Sequence, residues 1–146
     1  MSSRLTAVFR TSGASNNTPA FEIIAGATRG FKLLEMEIAL AAATASTYSL
    51  GRPAAKGVTP TSPLALLNEE NGDPSEGQTR IAGAWGTPPT IPARFLRQVA
   101  FPATISSSRY WTFANGIIIP AGGTLVLWNS AANGVIDVSI VGVETN

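Results

Sequence analysis

Residues Trp111 to Val143, WTFANGIIIPAGGTLVLWNSAANGVIDVSIVGV, constrain the fold more than any other stretch, because they read as three consecutive β-strands with both connecting turns. Pro120 suits the first corner of a type I turn and Gly122 the left-handed position after it, a frequent closure for a β-hairpin between apolar strands. Asn133-Gly134 supplies the next turn signal. In the last strand Ile136, Val138 and Ile140 share one face and Asp137 and Ser139 the other, the period of two expected when one side is buried. Thr124 to Asn129 behaves differently. Leu125 and Leu127 point one way and Val126 and Trp128 the other, so neither face suits water, and one is expected to meet another subunit or sheet.

The remaining chain follows the same grammar. Arg4 to Thr11 alternates, with Leu5, Ala7 and Phe9 on one face, and a polar turn, GASNNTP, leads to a second strand at Phe21 to Ile24. The stretch FKLLEMEIALAAATA, from Phe31, has a helical composition. On a helix, however, Glu35 and Glu37 fall about 200° apart, whereas a strand puts both on one face, opposite Leu34, Met36, Ile38 and Leu40, and strand is the reading adopted. GRPAAKGVTPTSP, from Gly51 to Pro63, is too rich in Pro and Gly for a central strand and reads as a long surface loop. NEENGDPSE, 68–76, separates Leu64 to Leu67 from Thr79 to Trp85, and TPPTIP, from Thr87, breaks the chain again before Phe95 to Phe101 and Tyr110 to Phe113. Short strands punctuated by Gly, Pro and Asn, without helical intervals, predict an all-β, single-domain sandwich or barrel over 1–146, with 1–18 as an N-terminal strand or arm.

Charged residues make up 13% of the 146-residue chain, about half the usual share. Ser, Thr and Asn must then supply much of the solvent contact, and a surface short of Lys and Glu resembles one occupied by partners. The net charge of +1 comes from ions scattered along the chain, with no basic stripe to follow a phosphate backbone, so nucleic acid is not an expected partner. Nor is a membrane, since no apolar run approaches the eighteen or so residues that span a bilayer and the N-terminus lacks a signal-peptide core.

The chain has neither histidine nor cysteine, which removes Ser-His-Asp and Cys-His arrangements, thiolate metal sites and the commonest transition-metal ligand. Glu35 and Glu37, about 7 Å apart at strand spacing, could form an acid/base pair, with Glu22 a further carboxylate. Nothing in the neighbouring sequence would give them distinct acid and base roles, and a solvated face or arginine partners is the favoured reading. The 68–76 loop clusters oxygen donors for calcium but lacks EF-hand spacing, and reads as a solvated turn. Gly51, Gly57 and Gly122-Gly123 match no phosphate-binding fingerprint, and no cofactor is expected. Trp85, Trp111 and Trp128 could stack on sugars, yet each sits in an apolar strand where burial is the default. Arg94 and Arg97, flanking Phe95 and Leu96, suit a partner's carboxylates and a solvated face equally. With Arg52, Lys56, Leu125 and Leu127 they form the candidate partner-contact set.

The order GRPAAKGVTP, IAGAWGTPPTIP and RYWTFANGIIIPAGGTLVLWN resembles the jelly-roll head decoration, or cement, proteins and related small virion structural proteins of tailed bacteriophages, over roughly Phe31 to Val143. The resemblance implies a jelly-roll-like antiparallel β-sandwich with long Pro/Gly-rich loops and no catalytic residues. It further implies synthesis in the host cytoplasm and a final place on the capsid surface, often as a homotrimer bridging subunits of the major capsid protein. A carbohydrate-binding jelly roll of a head or tail fibre is the alternative, and a small glycosidase or lyase using Glu22, Glu35 or Glu37 ranks last.

Overall fold

In a computed structural model the chain is described over residues 4–13, 16–70, 77–131 and 134–145, and these contain strands and turns with no α-helix. Eight strands make the framework: β1 (Arg4–Arg10), β2 (Thr18–Ile24), β3 (Gly30–Leu40), β4 (Ser46–Gly51), β10 (Phe95–Phe101), β11 (Ser108–Ile119), β12 (Thr124–Asn129) and β13 (Ile136–Thr145). Their pairing is nested. First pairs with last, β1 with β13; then β2 with β12, β3 with β11 and β4 with β10, all antiparallel. A long antiparallel ribbon of such pairs, rolled up, gives two sheets with the framework orders β11-β3-β13-β1 and β10-β4-β12-β2. This is the jelly roll, an all-β sandwich of two Greek keys.

Between β4 and β10 lies an insertion carrying β5 (Val58–Pro60), β6 (Leu64–Ala65), β7 (Leu67–Asn68), β8 (Arg80–Ala82) and β9 (Trp85–Thr87). It closes one side of the sandwich. β7 extends the first sheet beyond β1, β8 and β6 extend the second beyond β2, and β5 pairs with β9 in a separate ribbon.

The core fills the space between the sheets with alternate side chains of each framework strand, including Leu5, Phe21, Ile23, Met36, Tyr48, Leu50, Leu125, Leu127, Val138 and Ile140. Each such burial is worth about 1.5–3 kcal/mol, the main term against chain entropy. In β3 the inward residues change phase: Phe31 and Leu33, then Met36, Ile38 and Leu40, are all buried. A one-residue bulge reconciles them, since Val141 faces Glu35 and Gly142 faces Leu33, leaving Leu34 without a counterpart on β13. The strand assignment for this stretch holds, but Leu34 is half-buried at the bulge rather than on the face of Met36.

Several expectations are corrected. The turns after β11 and β12 do not close hairpins, because β11 and β13 belong to one sheet and β12 to the other, so both are arches across the sandwich. In the first, Gly123 N donates to Pro120 O at 2.8 Å, which makes Pro120 the opening residue of the turn rather than its first corner. Gly122 does take the left-handed conformation, at φ 73°. Asn133 lies outside the described residues. β12 is a central strand with all six residues buried. Leu125 and Leu127 pack in the core at 0% exposure, which removes them from the contact set. Its outer face is covered by the chain itself: Val126 sits beside Glu22, whose carboxylate is bound to the insertion, and Trp128 donates Nε1–H to Asn17 Oδ1 at 3.0 Å. The Gly51 to Pro63 loop includes the short strand β5, and β4, with Tyr48 and Leu50 inward, was not anticipated. Residues 4–10 are a fully paired strand, as their alternation predicts.

Candidate interaction surface

The insertion leaves the two sides of the sandwich unlike. On the closed side the outermost strands, β6 and β7, are two residues each; on the other, β10 and β11 present long edges of seven and twelve residues. A long unpaired edge is a template for another strand, and proteins usually shorten, cover or charge it. Here it is charged.

Six of the ten Lys and Arg residues, Lys32, Arg52, Lys56, Arg94, Arg97 and Arg109, lie on or against these strands. Arg97 Cζ stands 5.3 Å from the centre of the Phe113 ring, bridging β10 and β11 across the gap between the sheets, and its Nη1 donates to Leu96 O at 2.7 Å. Arg52 Nη2 donates to Ile118 O at 2.9 Å and Lys56 Nζ to Gly122 O at 3.3 Å, tying the start of the insertion to the end of β11. Lys32 is the cross-strand neighbour of Ile118, and Arg109 that of Ile38. Arg94 is exposed just before β10. Among the described residues none of the six is ion-paired to a carboxylate, whereas Arg4, Arg10 and Arg29 are. The fold thus gathers charges that the sequence scatters, and the premise that no basic stripe exists does not hold. Four of the six belong to the expected contact set; Lys32 and Arg109 were missed, because only register places them there.

Exposed apolar groups share the surface: Phe95 and Leu96 on β10, Tyr110 and Ile118 on β11, and Ile105 in the loop between them. Such a mixture of Arg, aromatic and aliphatic side chains is typical of protein interfaces.

The candidate carboxylates do not converge. Glu35 and Glu37 lie on the outer face of the first sheet and Glu22 on the second. Arg4 reaches Glu35 at 3.7 Å and Glu69 at 3.1 Å, as the arginine-partner reading requires for Glu35. A hydrogen bond to Glu35, then desolvation and the charges of Glu35 and Glu37, hold the Tyr110 phenol above its ordinary range. Glu22 is fully buried, accepting from Trp85 Nε1 at 3.0 Å and from Gly57 N at 3.1 Å. Most of the 68–76 loop lies outside the described residues; within them no group of three or more acidic side chains is placed to hold a metal. Trp111 and Trp128 are buried and Trp85 is half-buried, with its Nε1–H donated to Glu22.

A cleft of about 300 Å³ opens beside β1, β2 and the insertion, with Phe9 and Leu64 among its walls and Ser12, Thr61 and Ser62 supplying hydroxyls. Its guanidinium, Arg10, is already bound to both oxygens of Asp137, at 2.7 and 3.0 Å. No family model, curated protein or solved structure matches the chain.

Proposed function

We propose that this chain is a non-enzymatic structural protein of a bacteriophage virion that binds the outside of the assembled capsid and stabilises it. One observation carries the reading: the insertion closes one side of the jelly roll and leaves the other as a long, cationic, aromatic-bearing double edge. A rigid sandwich with one adhesive side suits attachment to a repeating lattice, where many weak contacts add up. The sequence resemblance supports the same assignment, with the major capsid protein as partner and a homotrimer as the assembled unit. Stabilisation follows from linkage, since a protein that binds only the assembled lattice raises the free energy of its disassembly.

The test is binding to particles assembled from the coat protein encoded nearest this gene, compared with the same coat protein dissociated. Decoration predicts saturable binding to particles alone and an upward shift of their melting temperature. Equal binding to dissociated coat, or none to particles, would sink it.

A further inference from the structure

We propose that the free edge of β11 takes up an extended acidic segment of its partner as an added β-strand, with carboxylates at alternate positions pointing between the sheets. The inference deepens the decoration reading and rests on it for the partner's identity as a coat-protein segment; the mode of binding rests on the edge alone.

Backbone geometry fixes where the strand can add. Leu40 N donates to Ser107 O while Ser106 N donates to Leu40 O, a bulge at Ser106, whose φ is 71°, that turns the Ser107 carbonyl toward β3. Alternation along an antiparallel ladder then directs the backbone groups of Arg109 and Trp111 to β3 and those of Ser108, Tyr110 and Thr112 outward. Beyond them the edge is blocked, because Arg52 already occupies the Ile118 carbonyl. The open stretch is therefore Ser108 to Thr112, continuing into residues 113–116, which have no counterparts on β3.

Side chains fix what the strand carries. Cross-strand partners share a face. Arg109 pairs with Ile38 and Trp111 with Met36, both core residues, so Arg109 and Trp111 face inward, as does Phe113 beneath Arg97. Tyr110 and Thr112 pair with Glu37 and Glu35 and face outward. An added strand meets two unneutralised guanidinium groups with its inward side chains and two carboxylates with its outward ones. Acids at every second position satisfy the first, and uncharged or basic residues between them avoid the second. A second copy of this chain fits poorly, because pairing β11 with β11 brings like guanidinium charges together. Nucleic acid fits poorly too, because it leaves the strand edge unsatisfied.

The probe is a short peptide alternating Glu with Val, compared with its Lys/Val counterpart and a block peptide of the same composition with the acids contiguous. Strand addition predicts that the Glu/Val peptide binds about tenfold or more tightly than either control and slows exchange at the Ser108, Tyr110 and Thr112 amides. Arg109→Glu should transfer the preference to the Lys/Val peptide. Tyr110→Pro, which deletes an N–H facing away from β3 and so suits an edge strand, should abolish both binding and protection while the circular dichroism stays that of the parent. Binding without protection of those amides overturns the mode, as does a Glu/Val preference that survives Arg109→Glu. Tighter binding of single-stranded DNA at the same residues, or protection that rises with protein concentration without peptide, also overturns it, in favour of nucleic acid or a second copy. Capsid binding unchanged by both variants sinks strand addition and leaves decoration standing. Peptide binding at the edge without capsid binding does the reverse.

Discussion

Glu22 shows at single-residue scale how the insertion is held. Its neighbours Phe21 and Ile23 point into the core and its own side chain points away, so the local pattern reads as a solvent-facing acid. What buries it is Trp85 and Gly57, distant in sequence, and no local signal carries that information. Gly57 is required there, because a Cβ would collide with Trp85 Cδ1 and stand 2.8 Å from Glu22 Oε1. We expect Gly57→Ala and Glu22→Gln each to cost about 1–3 kcal/mol in urea unfolding, the first by overpacking and the second by turning an amide toward N–H donors. The double variant should lose less than the sum, since both substitutions release one contact. Full additivity would show that the two residues act apart. Asp137 provides a pH test: the hydrogen bond from Arg10, then its charge, hold this carboxyl below its ordinary range. A depressed folded-state pKa stabilises above the unfolded value and is lost as pH falls through the folded one. The parent should therefore lose more stability than Asp137→Asn as pH drops from about 5 to about 2, by a small margin because the pair is exposed. Parallel curves for the two proteins would remove Asp137 from the acid response.

Elements differ in how much of them local sequence determines. The period of two in β1, β3 and β13 was legible, and so was the absence of helix, because alternation over many residues leaves one way to bury the apolar face. The partners of each strand were not. Pro120 to Gly123 carries the same turn chemistry whether the chain folds back beside itself or crosses to the other sheet, and only the nested pairing of first strand with last decides for the arch. The bulge in β3 was readable in retrospect, from the change of phase between Leu33 and Met36. Deleting Leu34 restores unbroken alternation and should leave a folded protein, whereas deleting Ile38 turns Leu40 outward and should prevent folding. Circular dichroism and cooperative unfolding distinguish the two, and equal damage from both deletions would mean the bulge is not where the register is set. Gly51 to Pro63 read as a long surface loop, yet Gly57 N is bound to Glu22, Thr61 N to Ala84 O and Thr90 N to Ala55 O. Hydrogen exchange should show Gly57 and Thr61 protected beside rapidly exchanging Ala54, and Trp85→Ala should release Gly57 while leaving Val138 and Ile140 unchanged. Uniform protection from Ala54 to Thr61 would contradict this.

At the scale of the whole molecule, charge and apolar surface are partitioned in a way that composition conceals. A net charge of +1 describes a molecule with six cations gathered at the β10–β11 side and Glu69 and Glu70 following β7 at the other. Meanwhile both faces of β12, which first argued for self-association, are covered within one chain. The free protein is accordingly expected to sediment as a monomer at micromolar concentration, with trimers forming on the lattice, where neighbours are held in place. A stable trimer in free solution would show that another surface drives assembly. If the basic side is the one that attaches, as the decoration proposal requires, binding should depend on salt. Arg94, exposed before β10, is the cleaner test than Arg97, whose guanidinium over Phe113 joins the two sheets and whose loss should itself cost about 0.5–1 kcal/mol of stability. Arg94→Glu should leave unfolding unchanged, weaken particle binding several-fold near physiological ionic strength, and converge with the parent at about 1 M salt, where the screening length falls to about 3 Å. If parent and variant bind particles alike at low salt, the cationic side does not face the coat, and attachment must be sought on the outer face of the first sheet, where Val8 and Leu67 stand exposed.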